Sequence, residues 1–108
     1  MIYLSGPITG RPFWEVKNHF NQVGMMVRRQ AARDTDELVE VYDPSKLTCD
    51  GFSWETYMNI AREVLQDPKI MAICMMKGWE KSKGCMMEIK WAHDLGLPII
   101  YEPGAERA

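Results

Sequence analysis

Apolar positions along the chain fall into short runs and helical stripes, punctuated by Gly and Pro. Met1–Ser5 is short, apolar and β-rich and stops at Gly6-Pro7, which predicts a first strand. Pro12 suits the first turn of a helix. Phe13, Val16, Phe20, Val23 and Val27 recur at spacings of three and four, the stripe of an amphipathic helix running to about Arg29. Arg33–Glu37 reads as a charged loop and Leu38–Tyr42 as a second strand, ended by Asp43-Pro44. Lys46–Phe52 is irregular and is expected to form a flap. Ser53 is placed to cap a helix over Trp54–Gln66, with Trp54, Tyr57, Met58, Ala61 and Leu65 on one face. Ile70–Met75 is a continuous apolar run of strand length, which suits a central parallel strand covered on both faces. A polar, glycine-containing loop then leads into a helix over Cys85–Leu95, stopped by Gly96. Pro98–Tyr101 is the last strand, and Glu102–Ala108 is a polar tail.

Strands and helices thus alternate from end to end. That order predicts an α/β fold, a doubly wound parallel sheet of four to five strands in a three-layer α/β/α sandwich. Ligands of such sheets bind beyond the carboxyl ends of the strands, where strand order reverses. The two most glycine-rich connections, Ser5–Arg11 and Gly78–Gly84, are expected at that end.

Bulk properties narrow the partners. The chain has 108 residues, read as a single domain over 1–108, without repeat or linker. Its net charge is −2 and its pI about 5.7, which speaks against binding a nucleic-acid polymer. Cys49, Cys74 and Cys85 are odd in number and lack CxxC spacing, so free thiols in a reducing, cytoplasmic compartment are expected, without disulfide or zinc. No signal-peptide pattern opens the sequence, and the run Ile70–Met76 is too short for a bilayer. Neither His19 nor His93 has a partner four residues on, so no metal site is expected. So small a core, with an open sheet edge, predicts a homo-oligomer, a dimer or larger. The many methionines are expected in the core or between subunits, and Trp14, Trp54 and Trp91 in structural roles.

Four features could carry chemistry. Ser82 and Gly84 precede a helix, where exposed N–H groups attract anions; taken alone, the pattern is that of a plain helix cap. Glu88 sits in the first turns of that helix among apolar neighbours, where it would act as nucleophile or general base; an exposed Glu paired with Lys is the ordinary alternative. Strand alternation puts Tyr3 and Ser5 on one face, and a Tyr hydroxyl can hold or protonate a carboxylate. Trp79 is placed either to stack on a base or to pack against a neighbouring subunit. Neither GxGxxG nor a Walker lysine pattern occurs, so dinucleotide binding and nucleoside-triphosphate hydrolysis are not supported.

Ile2-Tyr3-Leu4-Ser5-Gly6-Pro7-Ile8-Thr9-Gly10, followed by Gly78-Trp79-Glu80-x-Ser82-x-Gly84-x-x-x-Glu88-x-x-x-Ala92-x-x-Leu95-Gly96-x-Pro98-Ile99-Ile100-Tyr101, resembles the nucleoside 2-deoxyribosyltransferase superfamily. The likeness is greatest to its short phage and bacterial branch of DUF4406 type, and the chain is also similar to the 2'-deoxynucleoside 5'-phosphate N-hydrolases. The resemblance implies a flavodoxin-like fold and cleavage or transfer at the N-glycosidic bond of a nucleoside or its 5'-monophosphate, without cofactor. It implies that Glu88 is the nucleophile and Tyr3 positions it, that sugar or phosphate approaches Gly6, and that Ser82 and Gly84 receive a 5'-phosphate. Glu63 or Asp67 would stand for an acid that contacts the base, Glu63 fitting the spacing better. Pro7 and Thr9 occupy places where the nucleotide-hydrolysing branch has Ser and Arg, with Arg11 nearby as a substitute. A non-catalytic nucleotide-binding or protein-interaction module on the same fold is the alternative.

Overall fold

The computed structural model describes residues 1–47 and 53–106. Its elements are β1 (Ile2–Ser5), α1 (Phe13–Thr35), β2 (Val41–Tyr42), α2 (Trp54–Leu65), β3 (Ala72–Met75), α3 (Lys83–Asp94) and β4 (Ile99–Tyr101), with 3-10 turns at Pro44–Leu47 and Trp79–Lys81. All strand pairs are parallel, in the order β2-β1-β3-β4. This is the predicted doubly wound α/β sheet, with four strands among the described residues.

Every residue of β1 and β3 is buried, as expected of central strands with helices on both faces. Alternation along the strands divides their side chains between two cores. Ile2, Leu4, Ala72, Cys74 and Met76 face Val16, Phe20, Val23 and Val27 of α1. Tyr3, Ile73 and Met75 face Ala61 and Leu65 of α2 and Cys85 and Ala92 of α3. Burial of a side chain such as Phe20, 0% exposed, contributes about 2 kcal/mol. The chain leaves β1 outward to β2 and returns across it to β3, so strand order reverses between β1 and β3.

Several boundaries differ from the sequence reading. The first helix continues past Arg29 to Thr35, ending at Asp36 in the left-handed region (φ 56°). Its last turns are exposed and held by local bonds, such as Gln30 Nε2 to Asp34 Oδ1 at 3.0 Å. No residue of the helix beyond Val27 is buried, so no apolar stripe marks them. Phe13 and Trp14 are 60% and 70% exposed, so the stripe begins at Val16 and Trp14 is not packed. The second strand is only Val41–Tyr42, and Leu38 is 99% exposed. The register Ile2↔Val41 leaves Leu38 beyond the end of β1, with no strand to pair with. Met25, Met71 and Met86 are exposed, whereas Met58, Met75 and Met76 are core.

Both helix caps read from serine are present: Ser53 Oγ accepts from Thr56 N–H at 3.1 Å, and Ser82 Oγ from Cys85 N–H at 3.2 Å. The tail is not wholly polar surface, because Ala105 is buried against Trp79. The expected flap at Lys46–Phe52 lies mostly outside the described residues, as does Cys49. Among the described residues, no helix is long and apolar enough to cross a membrane.

Candidate functional site

At the carboxyl ends of β1 and β3 the chain opens into a cavity of about 260 Å³. Glu88, on the second turn of α3, lines it and is 8% exposed. Two donors from β1 hold its carboxylate. Tyr3 Oη donates to Oε2, and Ser5 Oγ donates to Oε1 at 2.8 Å. Tyr3 and Ser5 are both fully buried and stand two residues apart on one face of the strand. The predicted shared face therefore meets the predicted acid.

Burial dominates the electrostatics. It pushes the Glu88 carboxyl up to about 7 against the lowering effect of the bonds from Tyr3 and Ser5. Burial, then the neighbouring Glu88 charge, pushes the Tyr3 phenol well above its usual range, so it stays a neutral donor. The Tyr42 phenol is raised by burial and by the charges of Glu88 and Asp43. Burial lifts the Cys85 thiol to about 11. Cys85 lines the cavity but is a protonated thiol at neutral pH. A carboxyl that titrates near 7 in a pocket is a candidate base or nucleophile, able to hold or release its proton under physiological conditions.

The walls are apolar and aromatic. Tyr42 stacks on Tyr3 with ring centroids 5.3 Å apart and 19° between planes. Trp54, Tyr57, Met58 and Ala61 of α2 form the opposite side, and Tyr57 Oη donates to Leu47 O at 3.0 Å. Gly6 lines the rim, where a Cβ would come within 2.7 Å of the Met76 sulfur. A Cβ on Gly84 would come within 3.2 Å of Met58 Sδ, so the bare backbone lets α3 approach α2 closely. Ser82 and Gly84 also line the cavity.

The other expected residues fall elsewhere. Pro7 and Arg11 line an adjoining cavity of about 580 Å³, which shares Ser82 and Gly84 with the first. Arg11 Nη1 donates to Pro7 O at 2.7 Å, and Glu15 faces Nη2 at 3.2 Å. Trp79 reaches neither cavity: it is 1% exposed and its Nε1 donates to Ala105 O at 2.9 Å. Its expected part in stacking on a base or meeting another subunit is corrected, because the C-terminal segment covers it. Glu63 is exposed on the outer side of α2 and lines neither cavity, and nor does Asp67. Helical geometry explains this: Ala61 and Leu65 take the inward face, which leaves Glu63 outward.

Sequence reasoning missed Tyr42, Trp54 and Tyr57 as cavity walls. For Tyr42 a signal existed, an aromatic at the carboxyl end of the strand beside Tyr3. It also missed the tie from His19 Nε2 to Glu102 Oε1 at 2.8 Å, which joins α1 to the end of β4 across 83 residues. Among the described residues no three His, Cys, Asp or Glu side chains stand close enough to hold a metal ion.

The family model described as a domain of unknown function, DUF4406, matches residues 1–101. No curated protein and no solved structure matches the chain.

Proposed function

Because this chain belongs to the DUF4406 family, whose description states no activity, we propose its function from the site together with the resemblance of its two motif blocks to the nucleoside 2-deoxyribosyltransferase superfamily: cleavage of the N-glycosidic bond of a nucleoside or nucleoside 5'-monophosphate, with Glu88 as nucleophile. The observation that carries the reading is one buried carboxylate, oriented through both oxygens, at the floor of an aromatic-walled cavity. Such walls suit the faces of a nucleobase.

In the first step a Glu88 oxygen bonds to C1' of the sugar while the C1'–N bond breaks, its electron pair leaving with the base, which takes up a proton. The transition state resembles an oxocarbenium ion, which a close carboxylate stabilises. Water then bonds to C1', the ester oxygen leaves as the Glu88 carboxylate, and the water proton is released. A second base in place of water would give transfer. The poorly solvated carboxylate is the more reactive for its burial. The Tyr3 and Ser5 hydroxyls orient it and stabilise it when it re-forms. Ser82 and the backbone at Gly6 and Gly84 lie along the cavity rim, where the sugar and its 5' substituent would lie.

The test is release of free base from a panel of ribo- and deoxyribonucleosides and their 5'-monophosphates, with and without a second base, quantified by chromatography. We expect release that Glu88→Gln lowers by about 10³-fold or more, with the fold intact by circular dichroism. Release that survives in the variant would refute the role of Glu88. No release from any member would leave a module that binds its ligand without cleaving it.

A further inference from the structure

The cavity beside the Glu88 cavity differs from it in kind. Arg11, Lys77, Lys81 and Lys83 line it, and among the described residues no carboxylate does. The two cavities share Thr9, Ser82 and Gly84, so a ligand can extend from one into the other. No acid neutralises the lysines: among the described residues Lys77, Lys81 and Lys83 form no ion pair. Lys83 instead holds its ammonium 4.8 Å from the centre of the Trp54 ring, on the wall common to both cavities. Two acids beside the cavity already have partners. Glu15 faces Arg11, and Glu102 accepts from the Lys77 backbone N–H at 2.8 Å and meets His19.

Lys77, Lys81 and Lys83 are solvent-exposed, so their mutual repulsion is modest in the free protein and their charge is open to an incoming anion. Lys83 is the first residue of α3, whose first turn contains no acid, so its charge stands at the positive end of the helix dipole. Gly78 is held at φ 88°, and a Cβ there would come within 3.2 Å of the Pro7 ring, so the bare backbone lets the segment bearing Lys77 and Lys81 approach the loop that carries Arg11. A single phosphate monoester carries a charge of about −1.5 to −2 at neutral pH. Three ammonium groups without an ion pair among the described residues, beside an Arg11 guanidinium already facing Glu15, exceed what it needs.

We propose that this cationic cavity takes a polyphosphate chain, so that the substrate is a nucleoside 5'-di- or triphosphate with its base and sugar in the Glu88 cavity. The inference rests on the N-glycosidic reading and extends it to the phosphate end. No bond to phosphorus forms or breaks: the base leaves and the sugar keeps its polyphosphate.

The test separates anion binding from base release. Thermal unfolding is followed for the wild type, Glu88→Gln and the double variant Lys77→Gln/Lys81→Gln, with orthophosphate, pyrophosphate or tripolyphosphate at matched ionic strength. We expect pyrophosphate and tripolyphosphate to raise Tm in the wild type and in Glu88→Gln more than orthophosphate does, and the double variant to bind them about tenfold more weakly or worse. Base release from nucleoside triphosphates should exceed that from monophosphates in kcat/KM, and the double variant should lose that preference. Equal Tm shifts with all three anions, or binding unaffected in the double variant, would overturn the proposal even if monophosphates lose their base. Polyphosphate binding that the double variant loses, without base release from any nucleotide, would uphold the anion site and overturn the glycosidic reading.

Discussion

Replacing Glu88 by Gln exchanges a buried ionisable group for a neutral one of nearly the same shape. The amide can still accept from Tyr3 and can donate to Ser5, so both contacts of the carboxylate have a counterpart. What changes is the response to pH. Below about pH 4.5 both the folded and the unfolded chain hold the Glu88 proton, and the neutral, hydrogen-bonded carboxyl contributes its full stability. As pH rises the unfolded chain gives up that proton first, while burial keeps the folded group protonated to about 7. Stability is therefore lost between these values and levels off above the folded pKa. A carboxyl raised from 4.5 to about 7 on folding amounts to about 3 kcal/mol lost across that window. The assay is urea unfolding of wild type and Glu88→Gln at about pH 4.5 and about pH 8.5. All other titrating groups are shared, so the difference between the two pH responses isolates Glu88. The wild type should lose about 3 kcal/mol more than the variant on going to the higher pH. Parallel responses would refute the reasoning, since they would mean that Glu88 ionises in the folded protein as it does in the unfolded one.

Two further outcomes follow from the same geometry. In Tyr3→Phe the carboxylate loses a donor that holds its pKa down, so the acid limb of kcat/KM for base release should move to higher pH and the rate at neutral pH should fall; an unmoved limb would refute the coupling. In Gly6→Ala the new Cβ would lie 2.7 Å from the sulfur of the fully buried Met76, so urea unfolding should show a loss of about 1–3 kcal/mol from overpacking, and an unchanged midpoint would refute that close approach.

Legibility varied with how much of each element its neighbours decide. The interiors of β1 and β3 were plain because central strands are apolar throughout. The end of α1 was not, since Arg29–Thr35 is helical with no buried residue to form a stripe. Leu38 and Val39 had the composition of a strand but no partner in register, and pairing, not propensity, decides a strand. In the site, strand alternation put Tyr3 and Ser5 on one face, while Glu88 had an ordinary exposed reading beside the reactive one and took its role, with Tyr3 to position it, from the family resemblance. Trp79 was misjudged because the backbone carbonyl of Ala105 that covers it comes from 26 residues downstream. Glu63 was carried by a family resemblance to a place that the inward face of α2 does not present.

By itself the sequence determined the alternation of strands and helices, their parallel connection, the serine caps and the location of the two glycine-rich loops. These depend on periodicity and turn chemistry within a few residues, which the local chain states directly. The tertiary structure alone decided that hydroxyls 85 and 83 residues from Glu88 close on its two oxygens and that Tyr42 stacks on Tyr3. It also decided that Arg11 joins lysines more than sixty residues away around one cavity. The raised pKa of Glu88 belongs to this second group. Desolvation is the summed effect of every atom packed round the carboxyl, drawn from elements that meet only when the sheet is assembled.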